Sequence, residues 1–118
     1  MDEFSWFVGI YEGEGSFYSR TCKRKATLKD GTERVYEHKG LVLTIKMTDE
    51  DVISRAAKFL GQSYAEVERA DRDARGYKRC YRVRQMGGNK GKLRKLLDRM
   101  YPYLSKRRQE QISKHLNS

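Results

Sequence analysis

The segment at residues 7–17 joins a helix pattern directly to a strand pattern, and this junction constrains the fold more than any other stretch of the 118-residue chain. It runs Phe-Val-Gly-Ile-Tyr-Glu-Gly-Glu-Gly-Ser-Phe, an apolar run containing Gly9 and then two acids that alternate with glycines. The pattern predicts a helix over residues 4–12, with Asp2 or Glu3 near its positive N-terminal end. A strand is predicted to follow at once, over residues 15–26.

The charge of this segment differs from that of the rest of the chain. The first sixteen residues contain four acids and no Lys or Arg, while the net charge is +10, so the remainder carries +14. A basic excess of this size indicates nucleic acid first and an anionic membrane surface second, with a merely soluble basic protein as the plain alternative. A carboxylate cluster in such a molecule suggests a place where a cation lies between the protein and a polyanion.

Length and cysteine content limit the class of protein. With 118 residues and 37% hydrophobic content, the chain has room for one domain, residues 1–118, with a single core. Two cysteines in predicted strands make neither a disulfide framework nor a metal pattern. Acids open the chain where a signal peptide needs positive charge, and no apolar run approaches the roughly 20 residues of a membrane span. We expect a soluble, intracellular protein without membrane contact, in a bacterial, phage or organellar setting that the sequence does not distinguish.

The clearest alternation of the chain lies at residues 34–47. Its odd positions are apolar from residue 41 onwards, and its even positions include polar side chains, so one face of this strand belongs to a core. Asp30 and Gly31 predict a hairpin turn that joins it to the strand before.

The remaining pattern predicts a helix, a second hairpin and two further helices. These elements are expected at residues 49–60 with Gly61 as the stop, at 63–70 paired with 77–86, at 90–100 and, after Pro102 and a Ser105 cap, at 105–116. The order predicts an α+β domain whose single antiparallel sheet is covered by helices on one face.

Both predicted hairpins are basic. Residues 20–39 hold seven basic side chains against three acids, and residues 72–84 hold six against one. Such a face fits DNA or RNA, because a two-stranded ribbon enters the major groove, although a solvated charged face is the plain alternative. Alternation places these candidates for nucleic-acid contact on the open face: Tyr18, Arg20, Cys22, Arg24, Tyr36, His38, Thr44, Lys46, Lys78, Arg82 and Arg84. For the basic C-terminal helix the sequence allows two roles, an ordinary charged surface or a site that binds DNA phosphates.

Residues 7–15, Phe-Val-Gly-Ile-Tyr-Glu-Gly-Glu-Gly, resemble the LAGLIDADG motif of homing endonucleases, in the variant that ends Gly-Glu-Gly-Ser-Phe. Gly9 and Gly15 match by identity, and Glu replaces Asp at both acids. The element order is similar to the family's αββαββα core with a further C-terminal helix, so the resemblance covers nearly all of the chain. It implies a curved, saddle-shaped sheet and an intron-encoded, site-specific double-stranded DNA endonuclease with a long, roughly palindromic site.

The resemblance also implies roles for individual residues. Glu14 corresponds to the metal-binding carboxylate and, with the carbonyl of Gly13, would hold Mg²⁺, which polarises phosphoryl oxygens and activates water. One further catalytic position falls at the end of the second strand, on Thr44, Lys46 or Met47, and Lys46 can serve if its side chain faces the DNA. The other falls near the start of the C-terminal helix, on Lys106 or Arg107, of which Lys106 is preferred. Where many relatives carry Gln, this chain carries Met47, a departure from the family pattern.

Full-length family members carry two motifs, whereas this chain carries one, so the resemblance implies a homodimer. The expected interface residues are Val8, Gly9, Glu12 and Gly13, with Glu12 also closing its helix. Two other classes of function remain open. One is a nucleic-acid-binding protein on the same fold without nuclease activity, such as an intron maturase or a transcriptional regulator. The other is a basic adaptor that binds an acidic protein.

Overall fold

The computed structural model describes residues 2–67, 79–88 and 90–116, apart from the side chains of Cys22, Arg24 and His38. In chain order its elements are α1 (Glu3–Glu14), β1 (Gly15–Thr27), β2 (Glu33–Met47), α2 (Glu50–Leu60), β3 (Tyr64–Glu66), β4 (Tyr81–Gly87), α3 (Lys92–Met100), a 3-10 turn (Tyr101–Tyr103) and α4 (Lys106–Leu116). Helices and one antiparallel sheet confirm the predicted α+β class. None of the helices in the described ranges has the length and apolar character needed to cross a lipid bilayer.

The predicted junction between the first helix and the first strand is confirmed. Asp2 caps α1, because its carboxylate accepts the backbone N–H of Ser5 at 2.8 Å, and this contact lowers the pKa of Asp2. Gly15 begins β1 directly after the helix ends at Glu14. A Cβ atom on Gly15 would lie 2.3 Å from Cδ2 of Tyr11, so the strand leaves the helix too closely for any larger residue.

β1 and β2 form a long hairpin, paired from Gly15 with Ile45 to Thr27 with Glu33. Its turn contains Gly31, whose φ of 86° lies in the region that glycine favours, as the Asp-Gly pair predicts. The sheet has the strand order β1-β2-β4-β3 and is antiparallel throughout. β2 is therefore central, and β4 pairs with it over residues 41–47 only.

The helices cover one face of this sheet, which we call the core face. The odd-numbered residues of β1, β2 and β4 point to it, and Phe17, Leu43, Ile45 and Val83 are almost fully buried there. They belong to one cluster with side chains from all four helices: Phe7, Tyr11, Ile53, Leu60, Leu93, Leu97 and Ile112. Burial of this apolar surface is what holds the helices against the sheet.

Several boundaries differ from the predicted ones. Of the strand predicted at residues 63–70, the described part forms β3 at Tyr64–Glu66, and residues 68–70 and the loop predicted after them lie outside the described residues. α3 begins at Lys92 because Gly91 supplies the N-cap position. Pro102 interrupts the helices within the 3-10 turn, as predicted. Ser105 caps α4 as predicted, since its hydroxyl accepts the N–H of Arg108 at 3.3 Å.

Candidate nucleic-acid interface and catalytic centre

The face of the sheet opposite the helices, here called the open face, carries the even-numbered residues of β1, β2 and β4. Paired residues of antiparallel strands point to the same side, so the register places the two predicted basic surfaces together. The open face contains Tyr18 and Arg20 of β1, Tyr36, Thr44 and Lys46 of β2, and Arg82 and Arg84 of β4. The side chains of Cys22, Arg24 and His38, predicted with them, are not among those described. Lys78, predicted with them, lies outside the described residues.

Within the described strands, the open face has no acidic residue. The acids of these strands are Glu33 and Glu37, which occupy odd positions of β2, and Glu66, which pairs with Tyr81 on the core-face side of β4. Glu37 forms an ion pair with Lys23 at 3.5 Å, away from the open face. The sorting of charge between the two faces produces a positive surface suited to a polyanion.

The outer half of the β1–β2 hairpin extends beyond the sheet as a two-stranded ribbon. Residues 20–27 pair with residues 33–40, and the described part of β4 starts its pairing with β2 only at Leu41. Eight residue pairs at about 3.4 Å each give a ribbon about 27 Å long. A ribbon of this kind enters the major groove of B-DNA.

The C-terminal end of α4 supports the base of this ribbon from the core-face side. His115 lies 3.1 Å from the hydroxyl of Ser19 through Nδ1 and packs edge-on against Phe17, with ring centroids 5.6 Å apart. Its backbone carbonyl accepts a hydrogen bond from Lys39 Nζ. These contacts fix the direction in which the ribbon leaves the domain.

Glu14 occupies the corner where α1 meets β1. It is exposed, and among the described residues it forms no hydrogen bond or ion pair. Because the first pair of β1 is Gly15 with Ile45, Glu14 lies at the same end of the sheet as Lys46 and Arg82, which pair with each other. A carboxylate therefore stands beside the basic open face.

Glu12 is engaged inside the chain. Its carboxylate accepts the backbone N–H of Ser105 at 2.5 Å and the Ser105 hydroxyl at 3.0 Å, and Arg108 lies 3.6 Å away. The Ser105 N–H is the main cause of the lowered pKa of Glu12, supported by the Arg108 charge. Glu12 thus holds α1 to the start of α4, rather than closing only its own helix. Of the two motif acids, Glu14 is the one left available to a ligand.

Arg108 is a buried residue of α4 that also binds Glu12 of α1. Its side chain is only 6% exposed, donates from Nε to the backbone carbonyl of Glu12 at 3.2 Å, and lies 5.2 Å from the ring centroid of Tyr11. Burial raises the pKa of Tyr11 to about 12, so its hydroxyl stays neutral. The basic start of α4 is therefore partly a structural anchor, a role that the sequence pattern did not separate from surface charge.

The neighbouring candidates Lys46 and Met47 lie on opposite faces of the sheet. Lys46 points to the open face, whereas Met47 pairs with Tyr81 on the core face and packs against the hydrophobic cluster. Met47 therefore lies on the covered face of the sheet, and Lys46 lies on the open face. Lys106, the first residue of α4, is exposed next to the Ser105 that binds Glu12.

Thr44 lies in the centre of the open face between Ser16 and Arg84. It is 9% exposed, and its hydroxyl oxygen is buried without a hydrogen-bond partner among the described residues. An unsatisfied buried hydroxyl costs free energy.

The interface candidates on α1 divide into two groups. Gly9 and Gly13 are exposed, and a Cβ atom on either would meet nothing within 4 Å inside the chain. Val8 is only 8% exposed and belongs to the core cluster, and Glu12 is occupied by Ser105. Within one described chain, nothing requires glycine at residues 9 and 13.

One chain does not supply a complete metal site in its described part. Within residues 2–67, 79–88 and 90–116, no three His, Cys, Asp or Glu side chains lie close enough together to hold a metal ion. A single exposed carboxylate with a neighbouring backbone carbonyl still fits Mg²⁺, which takes one or two carboxylates and completes its shell with water and substrate phosphates.

The fold is similar to that of solved homing endonucleases. The homing endonuclease I-CvuI, solved with a DNA target at 2 mM Mg and with that DNA uncleaved, matches 98% of this chain and 64% of its own at 20% identity, with a TM-score of 0.63. The archaeal intron-encoded homing endonuclease I-Vdi141I, solved with DNA, matches 93% of this chain and 62% of its own at 18% identity, with a TM-score of 0.56. The chain thus spans less than two-thirds of the length of either protein.

No family model matches the sequence, and no curated protein matches it significantly. At 18–20% identity the structural likeness establishes the fold.

Proposed function

We propose that two copies of this chain form a site-specific, Mg²⁺-dependent endonuclease that cleaves double-stranded DNA at a long, roughly palindromic site. The observation that carries the proposal is the exposed Glu14 at the end of a sheet face that is basic and free of acids in its described part. Proteins of the same fold have been solved with DNA, which agrees with this assignment.

The basic residues would bind the phosphates and base edges. Arg20, Arg82 and Arg84 are long, always charged and directed to one face, and arginine matches both phosphate and guanine geometry. The ribbon beyond Leu41 would extend the contact along the major groove. Each copy would thereby cover one half of the site.

Glu14, with the carbonyl of Gly13, would hold Mg²⁺ together with DNA phosphates and the same residues of the second copy. When bound, the ion polarises the scissile phosphate and lowers the pKa of the attacking water. Lys46, which lies at the same end of the open face, would stabilise negative charge developing on the phosphate. Lys106 would act similarly from the start of α4.

Dimer formation would bring the two α1 helices together. Gly9 and Gly13 lie one helical turn apart, are exposed, and leave room for a close helix neighbour. Glycine lowers helix stability by about 1 kcal/mol relative to alanine. Since no contact within the chain requires these two glycines, contact with a second copy of the chain is a reason for their presence. A symmetric pair would supply two Glu14 carboxylates to one centre.

A cleavage selection on a randomised duplex library, with and without Mg²⁺, tests the proposal. We expect cleaved, roughly palindromic sequences to be enriched only when Mg²⁺ is present. The Glu14→Gln variant should bind the selected site with little change in affinity and should not cut it. Glu110→Gln, an exposed acid on α4, is the matched control and should cut normally.

The outcomes separate the possible functions. A Glu14→Gln protein that cuts at the normal rate would contradict the proposed metal site. Enrichment by binding without any cleavage would instead identify a non-cleaving DNA-binding protein. A protein that selects no sequence at all would overturn the assignment to site-specific DNA recognition.

A further inference from the structure

Three side chains form an apolar row across the open face. Tyr18 pairs with Val42, and Val42 pairs with Met86, so all three point to the same side of the sheet. Val42 is fully buried but does not belong to the core cluster beneath the helices. Tyr18 and Met86 flank it and are 39% and 41% exposed. The row therefore presents a tyrosine ring and a flexible thioether to whatever covers this face.

Charged and polar rows border this apolar row on both sides. Arg20 pairs with Gly40 on the ribbon side, and Ser16, Thr44 and Arg84 form the next row on the other side. Neighbouring rows are two residues, or about 7 Å, apart along the strands. That distance corresponds to about two base-pair steps. Arginines on both sides would thus hold a duplex across the apolar row.

The major groove offers few apolar groups to such a row. The base edges present hydrogen-bond donors and acceptors, and the 5-methyl group of thymine is the apolar feature among them. An acidic protein partner would satisfy the arginines as well, but it is the less suitable occupant. Ser16, Thr44 and Arg84 of the adjacent row place polar side chains next to the apolar row, which matches the mixture of polar groups and thymine methyl groups on base edges.

We propose that Tyr18 and Met86 determine specificity by contacting the 5-methyl group of a thymine, once in each half of the DNA site. This inference rests on the proposed function, because it requires sequence-specific DNA binding. Val42 acts by packing between the two contacting side chains.

The experiment uses the full chain and the DNA site obtained from the randomised library. Each symmetric pair of thymines in that site is replaced by deoxyuridine, which removes only the methyl groups, and binding is measured without Mg²⁺. We expect one pair of positions at which the replacement weakens binding about tenfold, from two lost methyl contacts. At each of the other thymine pairs, the replacement should weaken binding less than about threefold.

Protein variants test whether Tyr18 and Met86 cause this dependence on the thymine methyl groups. Tyr18→Ser and Met86→Gln should each bind the thymine and deoxyuridine forms of the site with more equal affinity. Tyr64→Ser is the matched control, since Tyr64 is 37% exposed but pairs with Val83 on the other side of the sheet. It should keep the full methyl dependence. Far-UV circular dichroism and binding to random-sequence duplex check that the variants remain folded.

Two results would overturn this inference while leaving the proposed function intact. One is a selected site at which no symmetric thymine pair depends on its methyl groups. The other is a methyl-dependent pair that persists unchanged in both Tyr18→Ser and Met86→Gln. If no site is selected, the proposed function and this inference both fail.

Discussion

The carboxylate of Glu12 binds Ser105 across 93 residues of sequence, accepting both its backbone N–H and its hydroxyl. Glu12 lies two residues before Glu14, and Ser105 directly precedes Lys106. One long-range contact therefore brings two of the proposed catalytic positions to the same end of the molecule. Arg108 strengthens it by donating to the Glu12 carbonyl from a buried position.

The Glu12 contact predicts a pH-dependent stability. The pKa of Glu12 is lowered in the folded chain, chiefly by the Ser105 N–H, from an ordinary value of 4.5. A lowered carboxylate pKa contributes stability above the unfolded value, and this contribution is lost as the pH falls through the folded pKa. In Glu12→Gln, the free energy of unfolding by urea should therefore fall at pH 7, with a much smaller loss at pH 3.

Glu110→Gln provides the control for this measurement, since Glu110 is exposed on the same helix as Arg108. The free energy of unfolding of Glu110→Gln should differ little from that of the unmodified protein at both pH values. A Glu12→Gln deficit that is equally large at pH 3 would show that packing, rather than the charged hydrogen bonds, stabilises this junction.

Two glycines of the motif, Gly15 and Gly9, should respond oppositely to substitution by alanine. At Gly15 a Cβ atom would lie 2.3 Å from Tyr11 Cδ2 and 2.7 Å from the Tyr11 carbonyl, so Gly15→Ala should destabilise the fold by about 1–3 kcal/mol. At Gly9 the same atom meets nothing within 4 Å, so Gly9→Ala should stabilise the helix by about 1 kcal/mol. Thermal denaturation at a fixed, low protein concentration measures both.

A different substitution at Gly9 tests the proposed dimer. A larger residue, as in Gly9→Leu, should prevent close approach of two α1 helices and yield monomers in sedimentation velocity experiments. Lys58→Leu, an exposed position on α2, serves as a control for added surface hydrophobicity. An unchanged dimer in Gly9→Leu would place the interface on another surface.

Substitution of Met47 should change the stability of the protein, whereas substitution of Lys46 should change its cleavage activity. Met47→Gln puts an amide against the hydrophobic cluster and should cost about 1–3 kcal/mol without improving cleavage. Lys46→Met removes a charge from the open face, so it should leave stability within about 0.5 kcal/mol while reducing cleavage of the selected site. Urea unfolding and single-turnover cleavage assays distinguish the two effects. Faster cleavage by Met47→Gln would mean that residue 47 reaches the DNA.

The local pattern was sufficient to predict most of the fold. The helix cap at Ser105, the Asp-Gly turn and the alternation of β2 depend on residues near each other in sequence, and each prediction is confirmed. Strand parity also predicted correctly which described side chains share the open face. These features follow from local backbone geometry, which short sequence windows contain.

Features that depend on distant residues were not predicted. Nothing near Glu12 in the sequence indicates that Ser105 and Arg108 would bind it. The apolar row has a local signal, since Val42 interrupts the polar even positions of β2. Its partners Tyr18 and Met86 become neighbours only when the sheet forms.

The open face should determine the salt dependence of DNA binding. Each phosphate-contacting Arg or Lys that is removed should reduce the slope of log affinity against log salt by about one. Arg82→Ala and Arg84→Ala should therefore each lower the slope, measured by fluorescence anisotropy on a random-sequence duplex. Lys23→Ala removes the same charge from the opposite face of β1, where Lys23 pairs with Glu37, and should leave the slope nearly unchanged. Equal slope changes in all three variants would mean that net charge alone, and not the orientation of the strands, controls binding.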